Sequence, residues 1–167
     1  MTDSRTVVNV RSNLLADRLE QGAKALAAFA EGLSDTEWET KVLGDGRTVG
    51  VAIHHVASVY PVEVELAQTL ASAKSIEGVT MDAIDQMNAD HARENAAVGK
   101  QATLDLLKSN SKAASKAIRE LTDEELDSAE EVSLYANAPL TAQFFIEDHA
   151  LRHSYHHLAR IRTTLKR

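Results

Sequence analysis

Helix-breaking residues are rare in this chain of 167 residues, and their rarity restricts the fold more than any other feature. Seven Gly and two Pro stand against 26 Ala and 18 Leu, residue types that lose little free energy on entering a helix. Apolar residues also recur with the helical period in several long segments. The sequence therefore predicts an all-α fold.

Capping residues and breakers divide the chain into four long helices. Gly99 interrupts the third, whose two parts could form one broken helix. The predicted helices run from a Ser12 cap to about Glu31, from a Thr48 cap to about Ala73, from Met81 (after a Thr80 cap) to about Ala97 and on from Gln101 to Leu121, and from about Thr141 to Leu165.

Two short segments between these helices resemble each other. Leu33–Trp38 (LSDTEW) and Leu121–Leu126 (LTDEEL) both carry a capping-box pattern, and each leads through a polar loop to a Thr-capped helix rich in His. This weak repeat favours two helix pairs, and so an up-and-down four-helix bundle. We expect one domain over residues 1–167, with a helical core at about 12–165.

Charge and composition exclude several functional classes. The net charge is −7, only seven residues are aromatic, and no basic run precedes the last few residues, which argues against nucleic-acid binding. Without Cys there is no disulfide, thiolate nucleophile or Cys-type zinc site. No apolar stretch is long enough for a signal peptide or a membrane span. We expect a cytoplasmic protein with a small-molecule substrate, and a homodimer is left open.

Six of the seven His residues lie in two clusters, on the second and last predicted helices. Residues four apart share a helix face, so His149, His153 and His157 form a column there, and a pair such as His153 and His157 can direct two imidazoles at one divalent ion. His54 or His55, on an apolar helix, is the candidate third ligand. The pattern predicts a metal site.

Two other interpretations remain open at this point. Histidines of this kind can make ordinary hydrogen bonds in a core or at a surface, or they can form a pH switch, because imidazole titrates near pH 6.5. If the ion is present, three imidazoles leave a coordination position open to water or substrate, which is typical of a catalytic site. Imidazole ligands accept several transition metals, and zinc or nickel is expected.

Two histidine motifs and a linker resemble the DinB-like (YfiT-like) family of metal-binding four-helix proteins. The motifs are TVGVAIHHVA at Thr48–Ala57 and HSYHHLARI at His153–Ile161, and the linker is VTMDAIDQMNA at Val79–Ala89. In that family a Ser or Thr opens the second helix and a ligand His follows seven residues later, before an aliphatic residue. The resemblance therefore selects His55 over His54, with His153 and His157 as the other ligands, and it spans most of Leu15–Leu165.

The resemblance also implies a function. Relatives include bacillithiol- and mycothiol-dependent transferases and isomerases, so it implies a thiol-dependent S-transferase or a related hydrolase, with a low-molecular-weight thiol as a second cofactor. A metal-binding stress-response protein without turnover and a helical interaction module with a histidine pH switch are the alternatives. Two departures leave the ligands untouched: Arg47 stands where the family often has Trp, and Ala159–Arg160 stands where it often has Gly-Gln.

Further residues are candidates for supporting roles around the ion. An acidic side chain could orient a ligand imidazole, an arginine could receive an anionic substrate, and aromatic residues could line a pocket. His54, His91, His149 and His156 could stand beside the site. The other candidates are Glu63, Glu147 and Asp148, then Arg152, Arg160 and Arg162, and then Trp38, Tyr60 and Tyr155.

Overall fold

A computed structural model describes residues 9–167 of the chain. Most of the described chain is helical, with one antiparallel hairpin. In chain order the elements are α1 (Val10–Glu31), α2 (Asp35–Glu39), α3 (Val49–Ala71), α4 (Met81–Glu94), α5 (Lys100–Arg119), α6 (Asp123–Asp127), β1 (Ala129–Val132), β2 (Ala138–Thr141), α7 (Ala142–Phe145), a π-helical stretch (Ile146–Leu151) and α8 (Arg152–Leu165).

Four long helical units form the bundle: α1, α3, α5 and the continuous unit from α7 to α8. Helices α1 and α3 both pack against α5 on one side and against the α7–α8 unit on the other. The core between them contains large side chains such as Leu19, Ile53 and Ile161, which are fully buried. The prediction of an all-α four-helix bundle is confirmed.

The predicted caps are correct at most helix starts. Thr48, Thr80 and Thr141 each accept a hydrogen bond from the backbone N–H three residues later. Both short helices, α2 and α6, have complete capping boxes, as predicted from their matching segments.

Two helix ends lie three residues from the predicted positions, whereas the ends of α3 and α5 lie within two residues of them. Helix α1 begins at Val10 rather than after Ser12, which lies buried within it and donates its hydroxyl to the carbonyls of Asn9 and Arg119. Helix α4 ends at Glu94, three residues before the predicted end, with Asn95 as its C-cap. At the end of α4 the Asn95 side chain donates to the carbonyl of His91, a bond that favours ending the helix there.

The polar loop predicted before the last helix is instead a hairpin. Strands β1 and β2 pair in antiparallel register, with Glu130 opposite Leu140, and Ile76 adds a parallel bridge to Val132. Val132 and Ile76 are both buried, so two isolated apolar residues anchor this segment to the bundle. Four-residue strands carry too little periodicity to be recognised from sequence.

Helix α4 lies over α3 and has no buried residue. It covers the surface of the bundle near the two histidine-bearing helices. Within residues 9–167, no helix has both the length and the apolar character required to cross a bilayer.

Candidate metal centre

Three histidines from two helices meet inside the bundle. His55 of α3 and His153 and His157 of α8 each offer one imidazole nitrogen, and these three atoms all lie within 4.8 Å of one another. The Nε2 atoms of His55 and His153 are 3.1 Å apart. His55 and His157 are 6% and 5% exposed, so the group is screened from bulk solvent.

Local sequence explains how each ring reaches this place. His153 and His157 are one turn apart on α8, and their rings stack with centroids 4.9 Å apart. His55 lies on the core-facing side of α3 beside Val56, which is fully buried. The neighbouring residue His54 points about 100° away around the helix and does not join the group.

Burial keeps two of these rings, His55 and His157, neutral. Desolvation, followed by the charge of His153, lowers the pKa of His55 to about 2, and the same two causes lower the pKa of His157 to about 3. A neutral imidazole has one nitrogen with a free lone pair, which is the form that binds metals. At neutral pH His55 and His157 are therefore electron-pair donors.

Glu63 fixes the orientation of His153. Its Oε1 atom lies 2.5 Å from His153 Nδ1, and Glu63 is itself only 7% exposed. Because the imidazole Nδ1–H donates to the carboxylate, Nε2 keeps its lone pair and faces His55. This is the role anticipated for an acidic residue behind a ligand.

The buried polar atoms of the group fit a divalent cation. His157 Nδ1 is buried and has no hydrogen-bond partner among the described residues. A buried nitrogen without a partner is costly, so the hydrogen-bonding capacity of this ring is incompletely satisfied by the protein itself. Three imidazole donors with a carboxylate behind one of them match the ligand types that zinc and nickel accept.

His91 stands beside this centre, the supporting position that the sequence left open for it. It projects from α4, its Nε2 lies 2.9 Å from Nδ1 of His54, and its ring meets the ring of His55 edge-on at 5.6 Å. Burial is the main cause that lowers the pKa of both His54 and His91. No local pattern links residues on α3 and α4, so only the tertiary fold shows this pair.

His149 belongs to a different group, which corrects the predicted column of three histidines on one face. It lies in the π-helical stretch, whose wider turns change the register relative to His153. Its Nε2 is 2.8 Å from the hydroxyl of Tyr135, and that hydroxyl donates to Asp148 at 2.8 Å. Since the single hydroxyl proton goes to Asp148, His149 Nε2 must donate to Tyr135.

A cavity of about 600 Å³ opens beside the three-histidine group, and we call it the apolar cavity. His55, Glu63 and His153 line one part of it, and Tyr135 and His149 line another. Most of the remaining wall is aliphatic, contributed by α3, α4 and the hairpin, and it includes Val59, Leu66, Ile84, Met87, Val132 and Leu134.

The remaining candidates are distributed elsewhere. Tyr60 and Trp38 are buried in the core, and Tyr155 packs over Gly22, so none of the three lines this cavity. Glu147 pairs with Arg18 at the surface, and Arg152 pairs with Asp148. Arg162 lies over the ring of Phe29, and His156 is exposed. Arg160 lines a second cavity, described below.

Comparisons with known proteins agree with this fold. The model of the DinB superfamily matches residues 18–161. YfiT from Bacillus subtilis, described as a probable metal-dependent hydrolase with an unusual four-helix bundle topology, superposes with a TM-score of 0.73 at 17% sequence identity. That match covers 99% of this chain and 92% of the other.

A mycothiol-dependent maleylpyruvate isomerase superposes with a TM-score of 0.67 at 15% identity. The match covers 96% of this chain but 63% of that enzyme, so the present chain spans less than two thirds of its length. A sequence search of curated proteins finds no match. At these identities the two structures establish the shared fold.

Proposed function

The chain belongs to the DinB superfamily, and on that premise we propose that it is a metal-dependent enzyme whose ligands are His55, His153 and His157. The proposed reaction is thiol-dependent S-transfer or a related hydrolysis, with zinc or nickel as the ion and a low-molecular-weight thiol as the second cofactor in the transfer reaction. The observation that carries the proposal is the meeting of three imidazoles at the wall of an apolar cavity.

The ligand set favours catalysis over a closed structural site. Three protein ligands leave at least one position of a tetrahedral ion for another molecule. When bound, a divalent ion would act as a Lewis acid and lower the pKa of a coordinating water or thiol towards neutrality. His55 and His153 both line the apolar cavity, so that position is accessible to a reactant held there.

The protein's own side chains supply orientation and polarity. Glu63 holds His153 in the tautomer whose Nε2 is free, which also raises the basicity of that nitrogen. Tyr135, held by Asp148, and His149 place hydrogen-bonding groups on the same cavity that the histidine group borders. An electrophile with an apolar body would bury its surface against the aliphatic wall between them.

The pKa values of the histidine group argue against a switch that works near neutral pH. Burial lowers the pKa of His55 to about 2 and that of His157 to about 3, far below the physiological range. A histidine switch needs rings that exchange protons between about pH 5 and 8. The buried pair is therefore better suited to hold a cation than to sense acid.

Elemental analysis of protein purified without an immobilised-metal column tests the first part of the proposal. We expect about one equivalent of zinc or nickel per chain, and its absence after reconstitution with either ion would refute the metal centre.

Turnover then separates the reactions. Conjugation of chlorodinitrobenzene that needs both metal and thiol supports S-transfer, and metal-dependent cleavage of an ester without thiol supports hydrolysis. Loaded protein that catalyses neither would support a binding protein without turnover.

A further inference from the structure

A second cavity of about 600 Å³ lies at the other side of the histidine group, and we call it the cationic cavity. The loop before α3 supplies Asp45 and Arg47, α8 supplies Arg160, and α4 supplies small residues and Asn88. Positive φ angles of +70° and +84° at Gly44 and Gly46 allow the tight turn that presents Asp45 and Arg47.

Asp45 holds the guanidinium of Arg47 by one edge. Its carboxylate accepts hydrogen bonds from Nε at 2.6 Å and from Nη2 at 2.8 Å, and the Asp45 side chain is only 4% exposed. The third nitrogen, Arg47 Nη1, is buried and has no hydrogen-bond partner among the described residues. An unpaired donor on a partly buried cation is costly, so the Arg47 guanidinium has the capacity for a further acceptor.

The charges of the cavity leave one positive charge uncompensated. Arg160 Nη1 lies 3.5 Å from Asp45, and its Nη2 donates to the carbonyl of Leu43. The Arg47 hydrogen bond lowers the pKa of Asp45 to about 2, so this carboxylate stays ionised at neutral pH. Two arginines against one aspartate give a local charge of +1, in a chain whose net charge is −7.

Three helices place the histidine group between the two cavities. Along α3, Val51 lines the cationic cavity, His55 follows one turn later, and Val59 lines the apolar cavity. The same order is found along α8: Arg160 lines the cationic cavity, His157 lies about one turn away, and His153 lines the apolar cavity.

Helix α4 runs over both cavities. Asn88 lines both of them, with Ala92 on the cationic side and Ile84 on the apolar side. The apolar cavity is lined by His55 and His153 themselves, whereas the residues that line the cationic cavity lie about one turn along α3 and α8 from the histidine group.

From this arrangement we propose that one of the two reactants carries a carboxylate, which binds the guanidinium groups of Arg47 and Arg160 in the cationic cavity, while the uncharged reactant occupies the apolar cavity. The inference rests on the proposed function, because it names the class of molecule brought to that site. A single net positive charge matches a carboxylate better than a phosphate dianion. Arg47 and Arg160 are thus specificity-determining residues.

The test compares N-acetylcysteine with its amide, which has the same thiol and no carboxylate. Calorimetric titration of the full chain should show about tenfold tighter binding of the acid, the size expected for a hydrogen bond to a charged group. The substitution Arg47→Gln should remove this preference, and added salt should weaken it. Arg93→Gln changes an exposed arginine of α4 that lines neither cavity, and it should keep the preference.

The proposal fails if the wild-type chain binds acid and amide equally, or if Arg47→Gln retains the preference. It also fails if inorganic phosphate displaces N-acetylcysteine at lower concentration than acetate does. Arg160 is partly exposed, so Arg160→Gln should fold even if Arg47→Gln does not, and it should reduce the preference.

Titrating metal-free and metal-loaded protein separates the two proposals. An acid preference in a chain that never binds metal supports the carboxylate site and refutes only the metal centre. A loaded chain without the preference refutes only the carboxylate site.

Discussion

Helices α3 and α4 border the same two cavities, yet they are built in opposite ways. Helix α3 buries fourteen of its 23 residues, whereas α4 buries none of its 14. The histidines that meet, His55, His153 and His157, come from α3 and α8, which belong to the core. Helix α4, which packs on the bundle surface, supplies part of the wall of both cavities.

This difference separates two requirements of a site. Ligand atoms must be held within tenths of an ångström, which needs side chains whose rotamers are fixed by packing. A wall that admits different reactants needs only approximate shape, and elements with few buried contacts open most easily. We therefore expect substitutions in α3 or α8 to alter metal binding, and substitutions in α4 to alter which reactants bind.

The largest effect on metal affinity is expected from removing the metal ligand of α3, which belongs to the core. His55→Ala should lower metal affinity by more than about 100-fold, because losing a ligand exceeds the 10–100-fold typical of residues behind a ligand. His54→Ala, its matched neighbour, should retain the ion since its ring bonds to His91 instead. Competition with a chromophoric chelator measures both.

The reverse result, with the ion lost in His54→Ala and kept in His55→Ala, would show that the register of the site is wrong by one residue. His156→Ala provides a second control, because His156 lies on α8 beside His157 but is exposed. It should leave the affinity unchanged.

Acid should reduce the free energy of unfolding of the chain, both with and without bound metal. The folded pKa values of His55 and His157, about 2 and 3, lie below the ordinary value of 6.5. The unfolded chain therefore takes up protons from about pH 6.5 downwards while the folded chain does not, so folding stability falls as the pH falls. A bound ion competes with the same protons, and its contribution also disappears in acid.

Thermal melts at pH 7.5 and 5.5, with and without a chelator, measure both contributions. The loaded chain should melt higher at pH 7.5, and the gap should shrink at pH 5.5. Equal melting temperatures at pH 7.5, in protein shown to have lost its metal, would contradict a native metal centre.

The core side of the site could largely be predicted from the sequence because its determinants are local. The spacing of His153 and His157 places both rings on one helix face, and the Thr48 cap sets the start of α3. The choice of His55 over His54 needed the family resemblance, since periodicity alone left both open. The many Val residues of α3 are weak helix formers, and burial against the core stabilises their helix.

Other features of the site and fold could not be predicted, mainly because they depend on contacts between segments that are distant in the sequence. The meeting of His54 and His91 requires α4 to lie on α3, and no spacing in the sequence encodes that docking. The hairpin is held by the pairing of Ile76 with Val132, which are 56 positions apart. The π-helical stretch that separates His149 from the column has no strong sequence signal, because it differs from an α-helix by one residue per turn.

A moderate effect is expected from Glu63, which supports a ligand without touching the ion. Glu63→Gln keeps the size and an acceptor for His153 Nδ1–H but removes the charge, so metal affinity should fall by about 10–100-fold. Glu65→Gln, two residues along the same helix, changes an exposed carboxylate and should have no effect. Equal affinity in both variants would show that Glu63 does not position the ligand.

The smallest effect on stability is expected from substituting Met87 of α4, which lines the apolar cavity and is 45% exposed. Met87→Ala should change the free energy of unfolding by less than about 0.5 kcal/mol, as is usual for surface positions. Ile53→Ala, in the fully buried part of α3, should cost about 2–5 kcal/mol because it leaves a cavity in the core. Urea unfolding distinguishes the two.

Met87→Ala should nevertheless raise KM for an apolar electrophile while kcat and metal content stay unchanged, because it removes contact area and no metal ligand. If Met87→Ala instead lowered metal affinity, α4 would be part of the frame that holds the ion, and the division between the two helices would be wrong.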